Sequence, residues 1–153
     1  RYYHSEVGVN SRLDALQAAV LTVKMQYLES WHAQRATNAS IYSEVFDGAG
    51  EIGLVHPKPP SPPARHIWNQ YVIRVSGDRR DALREHLSEN GIGTDIYYPV
   101  PLHMQECFAS IRAGSLPHTE LAALETIALP IFAELTSDQI EYVSTTIVSF
   151  LSQ

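Results

Sequence analysis

Between Gly48 and Arg65 the chain carries three glycines (Gly48, Gly50, Gly53) and five prolines (Pro57, Pro59, Pro60, Pro62, Pro63). Proline lacks the N–H that a helix interior or a central strand requires, and clustered prolines favour the extended polyproline form. No long helix can cross this stretch, so whatever folds upstream must stop near residue 47 and whatever follows must start afresh near residue 66. It reads as a stiff connection inside one folded unit, because the segments after it are too few and too short to fold without those before it. A chain of 153 residues has the length of a single domain, burying roughly 70% of the surface its unfolded form exposes.

Upstream, Leu13, Leu16, Val20, Val23, Tyr27 and Trp31 recur at intervals of three and four, the spacing of one apolar helix face. The pattern predicts one long helix running on through Ile41 to Phe46. Ser11 followed three residues later by Asp14 has the pattern of a capping box at its start. Downstream, HIWNQYVIRV (66–75) predicts a central strand with Ile67, Tyr71, Ile73 and Val75 on one side. Asp78 is expected to cap a helix carrying Ala82, Leu83, His86 and Leu87, which Asn90-Gly91 stops. A second strand is expected over 94–98, then a shorter helix holding Leu121 and Leu124 and an apolar run ending at Pro130. Thr136 and Gln139 announce the final helix, with Ile140, Val143, Ile147 and Phe150 or Leu151 as its buried stripe. Alternating strands and helices imply an α/β fold of two layers, helices packed on a small sheet. The organisation predicted is a long helix and its cap over 1–47, the Pro/Gly-rich connection over 48–65, and a small α/β domain over 66–153.

Composition removes several classes of function. A formal charge of -6 with only 11 Lys and Arg leaves no basic stripe for nucleic acid. No apolar run approaches the ~20 residues of a bilayer span, and no signal-peptide pattern is present. Cys107 is the sole cysteine, which excludes an intrachain disulfide, fits a reducing compartment such as the cytoplasm, and suggests a small buried hydrophobe. The seven histidines show no HExxH or similar pairing, so no metal site is expected. Neither a G-x-S-x-G, a P-loop nor a G-x-G-x-x-G motif occurs. His4 with Glu6 and His32 with Glu29 read as solvated surface.

Two constellations carry chemistry. Asn10, Ser11 and Arg12 stand at the mouth of the first helix, where free N–H groups and the helix dipole favour a phosphate or carboxylate; alternatively, Asn10 and Ser11 cap the helix and Arg12 is a solvated charge. In GIGTDIYYPVPLH (91–103), prolines fix the backbone around Tyr97, Tyr98 and His103, which suits a ligand pocket. The alternative is that both tyrosines pack on the sheet while His103 satisfies a backbone carbonyl.

The order VGVNSRLDALQAAVL, HIWNQYVIRV, RRDALREHL, GIGTDIYYPVPLHMQ, LPHTELAALETIALPI and LTSDQIEYVSTTIVSF resembles the C-terminal part of the DegT/DnrJ/EryC1/StrS family of pyridoxal-phosphate-dependent sugar aminotransferases, nearly end to end. The resemblance implies the small C-terminal domain of a fold-type-I transferase, similar to aspartate aminotransferase, in a homodimer with active sites between subunits. It implies that Asn10 reaches the cofactor phosphate of the neighbouring subunit, with Arg12 facing the same phosphate or a substrate phosphate, and that Tyr98 and His103 contact a nucleotide-sugar substrate or support the cofactor site. Glutamate is the usual amino donor of such enzymes.

Such an enzyme needs a Schiff-base lysine. The two lysines present, Lys24 and Lys58, lack the family's Ser-Phe-x-x-x-Lys context, and in the family that lysine lies upstream of the G-x-N segment. The expectation is therefore a fragment with no catalytic residue of its own, inactive alone. A sugar dehydratase of the same family, with histidine in place of the lysine, and a non-catalytic interaction or regulatory domain are the alternatives.

Overall fold

The computed structural model describes residues 2–111 and 114–153. Five α-helices and three strands follow one another as α1 (Ala15–Met25), α2 (Leu28–Phe46), β1 (Leu54–Val55), β2 (Tyr71–Val75), α3 (Arg80–Glu89), α4 (Pro117–Glu125), β3 (Thr126–Leu129) and α5 (Ser137–Leu151). The sheet is antiparallel in the order β1-β2-β3, so β2 is central as its composition predicts. Its alternation works as expected: Tyr71, Ile73 and Val75 are buried, paired across the sheet with Leu129, Ile127 and Leu54 respectively. This face meets Tyr42 and Phe46 of α2, Leu83 and Leu87 of α3, and Ile140, Ile147 and Leu151 of α5 in one apolar core.

Aromatic rings form the centre of that core. Phe46 stacks on Tyr42 (5.9 Å between centroids), Tyr42 on Tyr71 (4.9 Å) and Tyr71 on Trp68 (5.6 Å). Burying each such ring is worth about 1.5–3 kcal/mol. Tyr42 also donates its hydroxyl to Pro130 O at 3.1 Å, and Asn38 its amide to Phe132 O at 2.8 Å, so α2 is tied by polar bonds to the segment after β3. The Thr136–Gln139 capping box of α5 is present. At the other end of α5 the Arg79 guanidinium donates to the Phe150 and Leu151 carbonyls, where a helix dipole favours positive charge.

The predicted long helix is two. Tyr27 N–H bonds to Lys24 O, three residues back, a tight turn that closes α1 before α2 begins. The physical difference between the halves is burial: α2 packs on the core through Ala39, Tyr42 and Phe46, whereas no residue of α1 is buried. The start of α1 also differs from expectation. Asp14 is the N-cap, its carboxylate accepting from Gln17 N at 2.8 Å, so Ser11 takes no part in a capping box. Aspartate and serine are comparable caps, and the residue nearer the apolar run takes the position.

Three further corrections concern short elements. The strand at 66–75 begins only at Tyr71, because Trp68 lies at φ +50, outside the β region, in a turn where its N–H bonds to His66 Nδ1. Asp78, at φ +58, does not cap α3; Arg79 occupies that position. The strand expected over 94–98 reduces to a single bridge between Asp95 and Ala128. The Asp95 side chain takes the Ile96 N–H, and Pro99 and Pro101 have none to offer, so no ladder extends past that pair. The connection over 48–65 holds more order than expected, with a 3-10 turn at Ala49–Ile52 and strand β1 ahead of its prolines.

Candidate functional site

The segment 2–4 and the loop 95–107 are stitched together. The Gln105 side chain donates to Tyr2 O at 2.8 Å and accepts from His4 N at 3.0 Å, and Cys107 N donates to His4 O at 3.1 Å. Tyr2 donates its hydroxyl to Asp95 Oδ2 at 3.0 Å, and its ring meets Tyr97 and Tyr98 edge-on with centroids 6.1 and 5.5 Å away. The two stretches singled out in the sequence, the one leading to Asn10 and the one holding Tyr98 and His103, are thereby joined at one end.

Asn10 and Arg12 are exposed. Asn10 Oδ1 accepts the Arg12 N–H at 2.9 Å, which turns the chain; Arg12 sits at φ +63. The donors of the α1 mouth are a different matter. Asp14 already places a carboxylate there, accepting the Gln17 N–H. The exposed side chains of Asn10 and Arg12 both carry N–H donors of the kind that suit a phosphate.

Tyr98 is also exposed, at 61%, whereas Tyr97 lines a cleft of about 360 Å³ together with Asn69, Gln70, Thr94 and Asp95. The Tyr97–Tyr98 peptide is cis. His103 does not bond a backbone carbonyl; its Nε2 lies 3.1 Å from Glu120 Oε1 on α4. Its ring borders an apolar hollow of about 330 Å³ with Leu102, Phe108, Ile111, Leu116 and Thr119. Cys107 is half-buried, not fully enclosed as expected.

Neither lysine joins these residues. Lys58 Nζ bonds Asp47 Oδ1 at 2.7 Å and lies 2.9 Å from His56 Nε2, and Lys24 lies over the Trp31 ring. Among the described residues no group of three or more His, Cys, Asp or Glu is placed to hold a metal ion, and no helix is long and apolar enough to cross a membrane. Gln105 and Glu120 are the site residues that sequence reasoning passed over. Gln105 stands two residues after His103 and Glu120 inside an ordinary helical pattern, and only the fold shows what each holds.

Residues 1–148 match the DegT/DnrJ/EryC1/StrS aminotransferase family. The chain belongs to this family. It is 43% identical over 98% of its length to a "Pleiotropic regulatory protein" of Geobacillus stearothermophilus, covering 40% of that protein. It is 38% identical over 91% of its length to the dTDP-3-amino-3,4,6-trideoxy-alpha-D-glucose transaminase of Streptomyces venezuelae, covering 36% of it. Its fold superposes with a TM-score of 0.82 on the crystal structure of S. venezuelae DesV in complex with ketimine intermediate, at 35% identity, over all of this chain and 40% of that one. The chain thus spans about two-fifths of the length of the relatives it matches. Aminotransferases of this family depend on pyridoxal phosphate.

Proposed function

We propose that these residues work as part of a pyridoxal-phosphate-dependent aminotransferase, a cytoplasmic homodimer that moves an amino group from glutamate onto a keto carbon of a nucleotide-linked sugar. Family membership and the likeness to a dTDP-sugar transaminase support the reaction class. The observation in this molecule that carries the reading is the exposure of Asn10 and Arg12 side by side, with Asn10 Oδ1 already accepting the Arg12 N–H. When bound, pyridoxal phosphate supplies the electron sink that loosens bonds at the substrate carbon.

The part of this chain is binding and orientation. The Asn10 amide donates to an oxygen of the cofactor phosphate held by the neighbouring subunit, and Arg12 adds positive charge beside it. Tyr98 presents a hydroxyl and His103 an imidazole to the sugar substrate, both from a loop stiffened by Pro99 and Pro101. The proton-transferring lysine comes from outside these residues, since Lys58 is engaged by Asp47 and Lys24 lies over the Trp31 ring. The exposed stripe of Leu13 and, on α1, Leu16, Val20 and Val23 is the face that meets the rest of the enzyme.

Asn10→Ala in the full-length dimer tests the reading. Losing one charge-assisted donor is expected to weaken pyridoxal phosphate binding about tenfold while the dimer persists; unchanged affinity in an intact dimer overturns it. A second reading, a regulatory protein without catalysis, is favoured by the name of the Geobacillus relative. It predicts that the full-length protein neither acquires the cofactor's visible absorbance nor transfers an amino group.

A further inference from the structure

Gln105 is 6% exposed, yet it belongs to none of the core strands or helices. Its amide uses both ends on one short stretch of backbone: Nε2 donates to Tyr2 O at 2.8 Å and Oε1 accepts from His4 N at 3.0 Å. A side-chain amide arranged this way imitates a strand partner, satisfying a donor and an acceptor two residues apart. The same Nε2 lies 3.4 Å from Val100 O, inside its own loop, and Cys107 N extends the pairing to His4 O. Beyond His4 the chain is exposed through Ser5–Leu13, and α1 buries nothing. Among the described residues, then, the hold on the arm that carries Asn10 and Arg12 lies at residues 2–4, and Gln105 is its buried centre.

We propose that Gln105 is a positioning residue that fastens the cofactor-phosphate arm (Asn10, Arg12) to the substrate loop (Tyr98, His103), so that the two are placed as one piece. The inference rests on the assignment of Asn10 to the cofactor phosphate. Gln105 touches neither cofactor nor substrate; it acts by removing freedom from the arm before the phosphate arrives, so that less ordering is required on binding. Tyr2 adds to the same fastening through its hydroxyl on Asp95 and its ring against Tyr97 and Tyr98. One consequence is that a substitution in the loop alters the grip on a phosphate contacted by residues well removed in sequence.

The test uses the full-length protein with Gln105→Leu, which removes both bonds at similar volume, and Gln105→Glu, which keeps the acceptor for His4 N–H and loses the donor to Tyr2 O. Amide exchange is followed in the cofactor-free protein, and pyridoxal phosphate affinity is titrated by absorbance. Gln105→Leu is expected to speed exchange at His4 and Cys107 and to weaken cofactor binding about tenfold, with Gln105→Glu between it and the parent. Unchanged exchange at His4 and Cys107 overturns the fastening. Faster exchange with unchanged affinity, where Asn10→Ala does weaken binding, overturns the coupling alone. Unchanged affinity in both Gln105→Leu and Asn10→Ala overturns the assignment of Asn10 and the coupling with it. Should Gln105→Leu fail to fold, Gln105→Glu decides by the same readings.

Discussion

Nε2 of His103 lies 3.1 Å from Oε1 of Glu120, and that one carboxylate oxygen also accepts the Leu116 N–H at 2.7 Å and the Ser115 hydroxyl at 3.3 Å. The loop that presents Tyr98 is therefore anchored to the start of α4 through a single acceptor. Its donors, the Leu116 N–H foremost and His103 next, hold the Glu120 carboxyl below its ordinary value of 4.5. Folded protein then binds fewer protons at this group than unfolded protein, so the contribution is present above about pH 4.5 and disappears as pH falls through the lowered value. Thermal melts of the parent and Glu120→Gln are expected to differ above about pH 4.5 and to converge as the pH falls below it. A margin that persists unchanged into stronger acid contradicts this account.

The cap of α1 separates two neighbouring residues with similar chemistry. Asp14→Ala removes the acceptor of the Gln17 N–H and is expected to weaken the first turn by about 1 kcal/mol. Ser11→Ala is expected to leave it intact. Amide exchange at Gln17 reads the difference, and since α1 buries nothing, the global melting temperature should move little in either variant. Faster exchange in Ser11→Ala than in Asp14→Ala would restore the serine cap.

Elements fixed by local chemistry were legible in the sequence, and elements fixed by tertiary contact were not. The α5 capping box and its Ile140–Val143–Ile147 stripe, and the alternation of Tyr71, Ile73 and Val75, lie within a few residues of each other and appear as read. Periodicity reports an apolar face but not what covers it: Leu16 and Phe46 belong to one predicted run, yet one is exposed and the other buried. The 94–98 strand failed for a related reason. β-branched and aromatic residues suited it, but the competitor for its N–H groups was the adjacent Asp95 carboxylate. Asn10 and Arg12 could be singled out by their motif, whereas Gln105 and Glu120 gain meaning only from partners 101–103 and 4–17 residues away in the chain.

The buried tyrosines make the fold sensitive to alkali. Burial foremost pushes the Tyr71 hydroxyl up to about 12, with Asp47 adding to the rise and its bond to Ser43 opposing it; Tyr42 is raised as well, by burial and by Tyr71. A tyrosine whose folded value exceeds its unfolded value of 10.0 keeps its proton longer when folded. The stability it contributes is whole below about pH 10 and is lost as pH rises toward the folded value. Denaturant unfolding at pH 7 and at about pH 11 is expected to show a smaller alkaline loss in Tyr71→Phe than in the parent, beside a neutral-pH cost of about 1 kcal/mol for the lost Ser43 bond. Equal alkaline losses in the two proteins would show that Tyr71 ionises as freely folded as unfolded.

Leu16, at 78% exposed, and Val20, at 55%, stand on the stripe assigned to the rest of the enzyme. Because both are exposed among the described residues, replacing both by glutamate, a good helix former, removes little buried surface from the fold. Leu16→Glu with Val20→Glu is expected to leave the unfolding free energy of residues 1–153 within about 0.5 kcal/mol of the parent. On the proposed role of the stripe, the same pair would place two carboxylates in an apolar interface of the full-length polypeptide, where desolvating an unpaired charge is strongly unfavourable. There it is expected to lower the melting temperature and to shift the protein toward dissociated species in sedimentation. Marked destabilisation of the 153-residue chain would mean that α1 packs on its own core, and an unaffected full-length assembly would mean that the stripe faces water in the enzyme too.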